Sequence, residues 1–292
     1  MVNKKHRAFL KWAGGKYNLV EPITALLPEG NKLIEPFVGA GSVFLNTDYD
    51  QYVLNDVNPD LIALFKIIKR RPQTFINDAR KLFHPRNNSS DAYYHLREVF
   101  NQSDDSYQRA LLFLYLNRHG YNGLCRYNRS GRFNVPFGQY GKPYFPQAEI
   151  EVFAEKAQRA TFTCMSFEKV FRRARKGDVV YCDPPYAPLT ATANFTSYAT
   201  AGFSLDQQHE LARRAAHAAH KRGIPVLISN HDTDLTRLLY ADADLQSLQV
   251  ARFISPKADG RTKVAELLAL YAPNVSGANV ISLAQMKRKV AL

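Results

Sequence analysis

The stretch VVYCDPPYAP, residues 179–188, carries a strand and its abrupt end. Residues 179–182 are apolar and β-prone, and the two prolines after Asp183 have no N–H to donate, so a strand must stop there. Asp183 therefore follows the carboxyl end of a strand, and in an open α/β sheet that edge is where ligands bind. An isolated Asp-Pro pair is more often an ordinary capping turn. The role of Asp183 thus depends on the rest of the chain.

Two other short apolar runs have a similar form. KLIEPFVGAG, residues 32–41, predicts a strand and a tight glycine loop before a helix, and YVLND, residues 52–56, predicts a strand ending in Asp56. Helical spacing dominates from there to residue 115, and a strong amphipathic pattern at residues 206–222 ends at Gly223. Further strands are predicted at residues 161–165, 224–230, 250–254 and 266–271.

This order of elements predicts an α/β sheet domain that is split in sequence. Residues 1–57 and 145–273 would form the sheet domain, and residues 58–144 a helical insertion that ends in a β-hairpin between residues 118 and 140. Residues 274–292 have little core-forming pattern and are expected to be a mobile tail.

Composition excludes several classes of protein. The 292 residues are 46% hydrophobic, which is enough for one large or two modest domains, and no run approaches the length of a membrane span. The basic start has too short an apolar stretch for a signal peptide, so a cytoplasmic protein without membrane contact is expected. Cys125, Cys164 and Cys182 have no metal-ligand spacing, so neither a disulfide framework nor a metal site is expected.

The charge balance indicates a polyanionic partner. The formal net charge is +13, and residues 109–142 contain no acidic residue. In that segment basic residues are interleaved with aromatic ones: Arg109, Arg118, Arg126, Arg129, Arg132 and Lys142, with Tyr115, Tyr121, Tyr127, Phe133, Phe137 and Tyr140 among them. Basic charge alone is a modest signal. The interleaved aromatic rings strengthen the expectation of nucleic acid.

The glycine-rich stretches suggest a nucleotide-like ligand. FVGAG lacks the full GxGxxG spacing because position 44 is Phe, but Gly39 and Gly41 let the backbone approach a ligand before a helix N-terminus. Asp56 could accept hydrogen bonds from ribose hydroxyls. A glycine turn and a capping Asp account for these residues equally well. KWAGGK, residues 11–16, is a second glycine element without an evident structural reason.

The DPPY residues suit chemistry on an exocyclic amine. The amine of a nucleobase is a poor nucleophile because its lone pair is delocalised into the ring. The Asp183 carboxylate and the Pro184 carbonyl could accept its two hydrogens, with the turn made rigid by Pro185, and so favour a tetrahedral nitrogen. The ring of Tyr186 offers a face for a base removed from its stack.

Four stretches together closely resemble the Dam family of DNA adenine-N6 methyltransferases. They are KWAGGK at residues 11–16, EPFVGAGSVFLN at residues 35–46, RHGYNGLCRYNRSGRFNVPFGQY at residues 118–140 and VVYCDPPYAPLTATANF at residues 179–195. The resemblance extends to about residue 273 and follows the family's order of motifs. DPPY alone also occurs in other amino-methyltransferases, whereas the segment at residues 118–140 is far more specific.

The resemblance implies a Rossmann-like methyltransferase sheet with an inserted helical and β-hairpin DNA-recognition domain. It implies S-adenosylmethionine as methyl donor, S-adenosylhomocysteine as product and no metal. The catalytic residues would be Asp183, Pro184, Pro185 and Tyr186. The donor site would be formed by Trp12, Gly14, Lys16, Phe37, Gly39, Gly41, Ser42, Asp56 and Asp183.

The resemblance also implies double-stranded DNA containing GATC as the target, bound by a monomer. Lys11 would read the outer guanine, and Tyr121 would insert near the flipped adenine, next to Asn122. Leu124, Arg126 and Pro136 would read the other half of the site. Phosphate contacts would come from Arg97, Asn128 and Asn134, with Tyr140 beside the recognition surface.

The residues themselves agree with parts of this assignment. An Arg such as Arg126 can bind guanine O6 and N7 together, and an aromatic residue such as Tyr121 can offset part of the unstacking that base flipping requires. Packing of a hairpin and a solvated arginine are the structural alternatives. Gln139 departs from the pattern, since a basic residue would serve a phosphate contact better there.

Other readings of the motifs differ in acceptor or in class. The same amine chemistry would serve cytosine N4, RNA adenine or a protein glutamine amide, although glutamine-modifying relatives typically carry Asn at the position of Asp183. A DNA-binding regulator without catalysis would have no need of the intact DPPY, FVGAG and KWAGGK motifs. A solitary enzyme that marks DNA for mismatch repair and replication, a phage enzyme and the partner of a GATC-cutting nuclease would share all of them.

Overall fold

The structure is a computed structural model and describes residues 5–186, 203–251 and 263–273. The expected tail at 274–292, residues 187–195 of the last motif and residues 252–254 of a predicted strand lie outside the described residues. The strands are β1 Lys32–Glu35, β2 Gln51–Asn55, β3 Ala160–Thr163, β4 Asp178–Cys182, β5 Val226–His231, β6 Asp244–Ala251 and β7 Lys263–Tyr271.

Within the described residues these strands form one seven-stranded sheet in the order β3-β2-β1-β4-β5-β7-β6. β1 pairs in parallel with both β2 and β4, while β7 runs antiparallel between β5 and β6. The order along the chain reverses between β1 and β4, and such a switch point leaves a crevice outside the carboxyl ends of the strands. The predicted α/β fold with a Rossmann-like sheet is confirmed.

Helices cover the two faces of the sheet and fill the segment between β2 and β3. They are α1 Val20–Leu26, α2 Ser42–Asn46, α3 Pro59–Arg70, α4 Pro72–Leu82, α5 Ser90–Gln102, α6 Ser106–His119, α7 Gln147–Lys156, α8 Phe167–Arg173, α9 Leu205–Arg222 and α10 Asp234–Leu239. The predicted amphipathic helix is α9. It begins at a Ser204 capping box and ends at Gly223, whose φ of 66° is the left-handed conformation that favours glycine.

The inserted helices are continuous with the core of the sheet. Helix α6 is buried on nearly all sides, and its Leu114 and Leu116 belong to the same apolar cluster as Leu33 and Leu54 of the sheet. A helix whose carboxyl-terminal half is enclosed in this way positions the segment that follows it. The segment after His119 is therefore held on a rigid support.

The predicted hairpin between residues 118 and 140 differs from a regular ladder. Its antiparallel pairing consists of two isolated bridges, Gly120 with Phe137 and Tyr127 with Phe133. Asn101 of α5 hydrogen-bonds both the N–H and the C=O of Phe133, so these backbone groups do not pair with a neighbouring strand. The part of the segment that contains Phe133, which we call the returning arm, thus packs against α5, and for this reason no regular strand forms there. No helix in the described residues is long and apolar enough to cross a membrane.

Candidate active site and recognition surface

A cavity of about 590 Å³ opens at the carboxyl ends of β1 and β4. The predicted donor-site and DPPY residues that line it are Trp12, Gly14, Lys16, Phe37, Gly39, Ser42, Asp56, Asp183, Pro184, Pro185 and Tyr186. Gly41 is not among the lining residues. It is the N-cap of α2, with a φ of 76°. The fold thus brings three separate motifs to one place, which we call the central cavity.

Asp183 is held at the end of β4 by two partners. The Lys16 ammonium lies 2.7 Å from Oδ1, and the Ser229 hydroxyl donates to the same oxygen at 3.1 Å. Both contacts are made through Oδ1, so an incoming amine can still hydrogen-bond Oδ2. Burial raises the pKa of Asp183 above its usual value, and the charge of Lys16 opposes this shift. The side chain remains 22% exposed, and Asp183 lines the cavity.

Lys16 is enclosed between the DPPY turn and its own loop. Only 4% of it is exposed, and its ammonium donates to the Gly14 carbonyl at 2.6 Å. The same ammonium lies 4.5 Å from the centre of the Tyr186 ring, within the range of a cation–π interaction. A buried cation with a carboxylate, a carbonyl and an aromatic face around it is well compensated.

The DPPY turn itself is fixed from two sides. The Gln208 amide, fully buried on α9, donates to the Pro185 carbonyl at 2.8 Å. The Tyr186 hydroxyl donates to the Glu266 carboxylate at 2.5 Å, and the ring packs edge-on against His231 with 4.5 Å between the ring centres. These contacts restrict both the turn and the plane of the aromatic ring.

The glycine loop after β1 closes onto the second strand end. The Gly39 N–H donates to Asp56 Oδ2 at 3.2 Å, and the Asn58 N–H donates to Oδ1 at 2.9 Å. Burial raises the pKa of Asp56, and these backbone hydrogen bonds oppose the shift. Gly39 has a φ of 48°, and a Cβ there would lie 2.9 Å from the Trp12 indole nitrogen. The loop therefore requires glycine for both its conformation and its close packing.

Glu35 is a cavity residue that the sequence motifs did not single out. It ends β1, is 2% exposed, and its Oε1 has no hydrogen-bond partner among the described residues. Burial and the nearby charge of Asp183 raise the pKa of Glu35 to about 8, so most of the carboxyl is neutral near pH 7. The sequence feature that could have identified Glu35 is an acidic residue at the end of an apolar strand. Ser229 and Gln208 carried no such signal.

The predicted base-reading residues lie along the segment that follows α6. The Lys11 ammonium is 3.9 Å from the centre of the Tyr140 ring, and the Tyr140 hydroxyl accepts from the Asn122 N–H at 2.9 Å. Tyr121 is 51% exposed, and its N–H donates to the Pro136 carbonyl at 2.8 Å. These five residues therefore form one continuous surface, which we call the recognition surface.

Arg126 and Asn134 lie opposite each other, on the outgoing and the returning parts of the segment at residues 118–140. The Arg126 Nε donates to Asn134 Oδ1 at 2.9 Å, and its Nη2 donates to the Asn134 carbonyl at 3.2 Å. These two bonds leave the Nη1 hydrogens and one Nη2 hydrogen, at the end of the guanidinium, unused in this contact. Leu124 is half-buried and packs against the core.

Like Asn134, the other two predicted phosphate-contact residues, Arg97 and Asn128, have intramolecular partners. Asn128 Oδ1 accepts from the N–H groups of Ser130 and Arg132, which closes the turn at the tip. The Arg97 Nη1 donates to the Val135 carbonyl at 3.1 Å, so this arginine also docks the returning arm on α5. These bonds leave other donors of Arg97 and Asn128 unused in the contacts described.

Comparisons with known proteins gave matches over most of the chain. A family model described as D12 class N6 adenine-specific DNA methyltransferase matches residues 12–254. A DNA adenine methylase of Vibrio cholerae serotype O1 is 60% identical over 273 residues, which are 94% of this chain and 99% of the relative. A DNA adenine methylase of Escherichia coli strain K12 is 59% identical over 272 residues, covering 93% and 98% of the two chains.

The matches among solved structures are much more distant in sequence. The putative RNA methyltransferase of Pyrococcus horikoshii has a TM-score of 0.40 and 7% identity, with 92% of this chain and 90% of that chain covered. The C-terminal domain of precorrin-6Y C5,15-methyltransferase from Rhodobacter capsulatus has a TM-score of 0.40 and 9% identity, with 93% and 99% covered.

Proposed function

Because the chain belongs to the D12 class of N6 adenine-specific DNA methyltransferases, we propose that it methylates adenine N6 in duplex GATC with S-adenosylmethionine as donor. The target adenine would leave the helix and enter the central cavity. A monomer suffices for this reaction, because the palindrome presents the same site on each strand. The enzyme would act in the cytoplasm, where it would be associated with the nucleoid.

The position of Asp183 is the observation that carries the proposal. Oδ1 is fixed by Lys16 and Ser229, and Oδ2 can accept one hydrogen of the adenine amine. The Pro184 carbonyl would accept the other, with the turn held by the bond from Gln208 to Pro185. Two fixed acceptors favour a tetrahedral nitrogen with a localised lone pair, and the negative charge of Asp183 stabilises the positive charge that develops on it.

The cavity fits the proposed donor in size and in chemistry. When bound, S-adenosylmethionine supplies a methyl group made electrophilic by its sulfonium. Asp56 offers a half-buried carboxylate for the ribose hydroxyls, and Gly39 and Trp12, which pack closely against each other, line the same cavity. Oε1 of Glu35, which has no hydrogen-bond partner in the part of the chain that the structure describes, offers a further polar contact at the end of β1.

The recognition surface and the adjoining Arg126 support duplex DNA as the acceptor. The free end of the Arg126 guanidinium can bind guanine O6 and N7 together, and the exposed ring of Tyr121 can stack where a base has left. The resemblance assigns the outer guanine to Lys11, whose ammonium lies beside Tyr140. Phosphate contacts from Arg97, Asn128 and Asn134, and GATC as target, are further parts of the proposal.

The test is methyl transfer from labelled S-adenosylmethionine to a duplex with one GATC. Duplexes altered at single positions and an RNA of matched sequence are assayed beside it, and the product nucleosides are identified. The proposal expects N6-methyladenine confined to GATC. Transfer to RNA, to cytosine or to protein instead would overturn the proposed acceptor, and equal transfer to altered duplexes would overturn the proposed target.

A further inference from the structure

The side-chain amide of Asn117 binds the main chain of Lys11 as a neighbouring strand would. Asn117 lies near the end of α6 and is 2% exposed. Its Oδ1 accepts from the Lys11 N–H at 2.9 Å, and its Nδ2 donates to the Lys11 carbonyl at 2.7 Å and to the Gly123 carbonyl at 3.1 Å. Both hydrogens of the amide nitrogen are therefore used.

Gly123 brings the recognition segment directly against Lys11. Its φ is 64°, and a Cβ added to it would overlap the Cβ of Lys11. Lys11 is thus enclosed between the Asn117 amide and the Gly123 backbone, with no side chain between them. Two chain segments that are distant in sequence meet at a single peptide.

This anchor compensates for the flexibility of the lysine side chain. A lysine ammonium is a point charge on a four-carbon stem, so its position depends on where the main chain is held. Beyond the anchor, the ammonium of Lys11 lies over the Tyr140 ring. Burial and the charge of Arg118 lower the pKa of Lys11, which agrees with a confined position of the ammonium.

We propose that Asn117 is a positioning residue that holds Lys11 in register with the recognition segment and thereby sets discrimination at the outer guanine. The inference rests on the proposed function, in which Lys11 reads that guanine. Asn117 itself contacts neither DNA nor donor in this proposal. It acts only through the peptide of Lys11 and the turn at Gly123.

The experiment compares kcat/KM on hemimethylated duplexes, in which one adenine is the acceptor. The outer guanine beside that adenine and the distal G·C pair can then be changed separately. Asn117→Ala and Asn117→Asp are expected to lower discrimination at the outer guanine by at least about 5-fold, the lower end for one base contact. Discrimination at the distal pair should change little, because Arg126 and Asn134 are not part of the anchor.

Asn101 offers a matched control. It binds the N–H and C=O of Phe133 at 2.7 and 3.0 Å, which is the same pattern of bonds at a different peptide. Asn101→Ala should lower the melting temperature without loss of outer-guanine discrimination. If Asn117 were only a stabilising residue, its variants would behave in the same way, and the inference would be wrong.

Gly123→Ala tests the same contact from the other side and covers the case in which an Asn117 variant does not fold. Gly131→Ala is its control, because Gly131 has a φ of 73° but, among the described residues, no atom lies within 4 Å of an added Cβ. Only Gly123→Ala should weaken outer-guanine discrimination. Equal behaviour of the two alanine variants would contradict the inference.

Lys11→Ala separates the inference from the proposed function. If Lys11→Ala keeps full outer-guanine discrimination, the assignment of Lys11 is wrong and the inference is wrong with it. If Lys11→Ala loses discrimination while the Asn117 variants keep it, only the inference is overturned. The double variant should lose no more than Lys11→Ala alone, whereas additive losses would contradict the inference, because Asn117 would then act independently of Lys11.

Discussion

The ammonium of Lys16 lies 2.7 Å from Oδ1 of Asp183, so a buried cation from the KWAGGK motif is paired with the carboxylate of the DPPY motif. Burial alone would favour the protonated form of Asp183, which lacks the negative charge that stabilises a developing cationic nitrogen. Lys16 therefore helps to keep the carboxylate charged, and it joins the two motifs in one cavity.

Replacing Lys16 should change the pH dependence of the reaction. In Lys16→Met the charge that lowers the pKa of Asp183 is lost, so that pKa rises further. The acid-side fall in activity should move to higher pH, as measured by kcat against pH at saturating donor. Lys32→Met is the control, because the Lys32–Asp178 pair lies at the amino ends of β1 and β4, away from the central cavity at their carboxyl ends. An unchanged acid limb in Lys16→Met would argue against this role.

Asp183→Asn should separate charge from shape. The amide oxygen can still accept from Lys16, so the fold should survive, but the negative charge opposite the amine is lost. We expect kcat to fall by about 10²- to 10³-fold, the range for removal of one electrostatic stabiliser. Single-turnover methyl transfer measures this, with thermal unfolding as the control for folding. Retained turnover would refute the proposed role of Asp183.

Glu35 should make the wild-type protein less stable as the pH rises. Burial raises the pKa of Glu35 in the folded state to about 8 from an ordinary value of 4.5, so its contribution is complete below pH 4.5 and is lost as pH rises through about 8. The loss has a limiting slope of about 1.4 kcal/mol per pH unit. Urea unfolding between mildly acidic and mildly alkaline pH should show a smaller decline for Glu35→Gln. Glu21→Gln, at an exposed position, should follow the wild type.

Arg126→Ala should relax specificity more than it weakens binding. The loss expected from one good guanine contact is about 1 to 3 kcal/mol of discrimination at a single position. Competition binding with duplexes altered one base pair at a time measures it. Arg132→Ala is the control, since Arg132 pairs with Glu98 at an exposed position of the same segment. A uniform loss of affinity across all duplexes would mean that Arg126 contacts phosphate instead.

The ends of the strands and helices could be predicted because they depend on local sequence. Two prolines stop β4 at Asp183, and a left-handed glycine stops α9 at Gly223, whatever surrounds them. The carboxyl ends of neighbouring parallel strands lie on the same side of the sheet. The proximity of the FVGAG and DPPY motifs therefore follows from the predicted order of strands and helices. The residues predicted for the donor site line one cavity, except Gly41, and their roles toward the donor stay a prediction.

Contacts between segments that are distant in sequence could not be predicted from local sequence patterns. Nothing in KWAGGK indicated that Lys16 would pair with Asp183, or that Asn117 would bind the peptide of Lys11. The burial of the Glu35 carboxyl and the docking of Arg97 on Val135 likewise depend on which surfaces pack together. Periodicity and turn chemistry act within a few residues, whereas burial and ion pairing depend on the packed interior. The ends of the strands could therefore be predicted from the sequence, but the partners of the side chains at those ends could not.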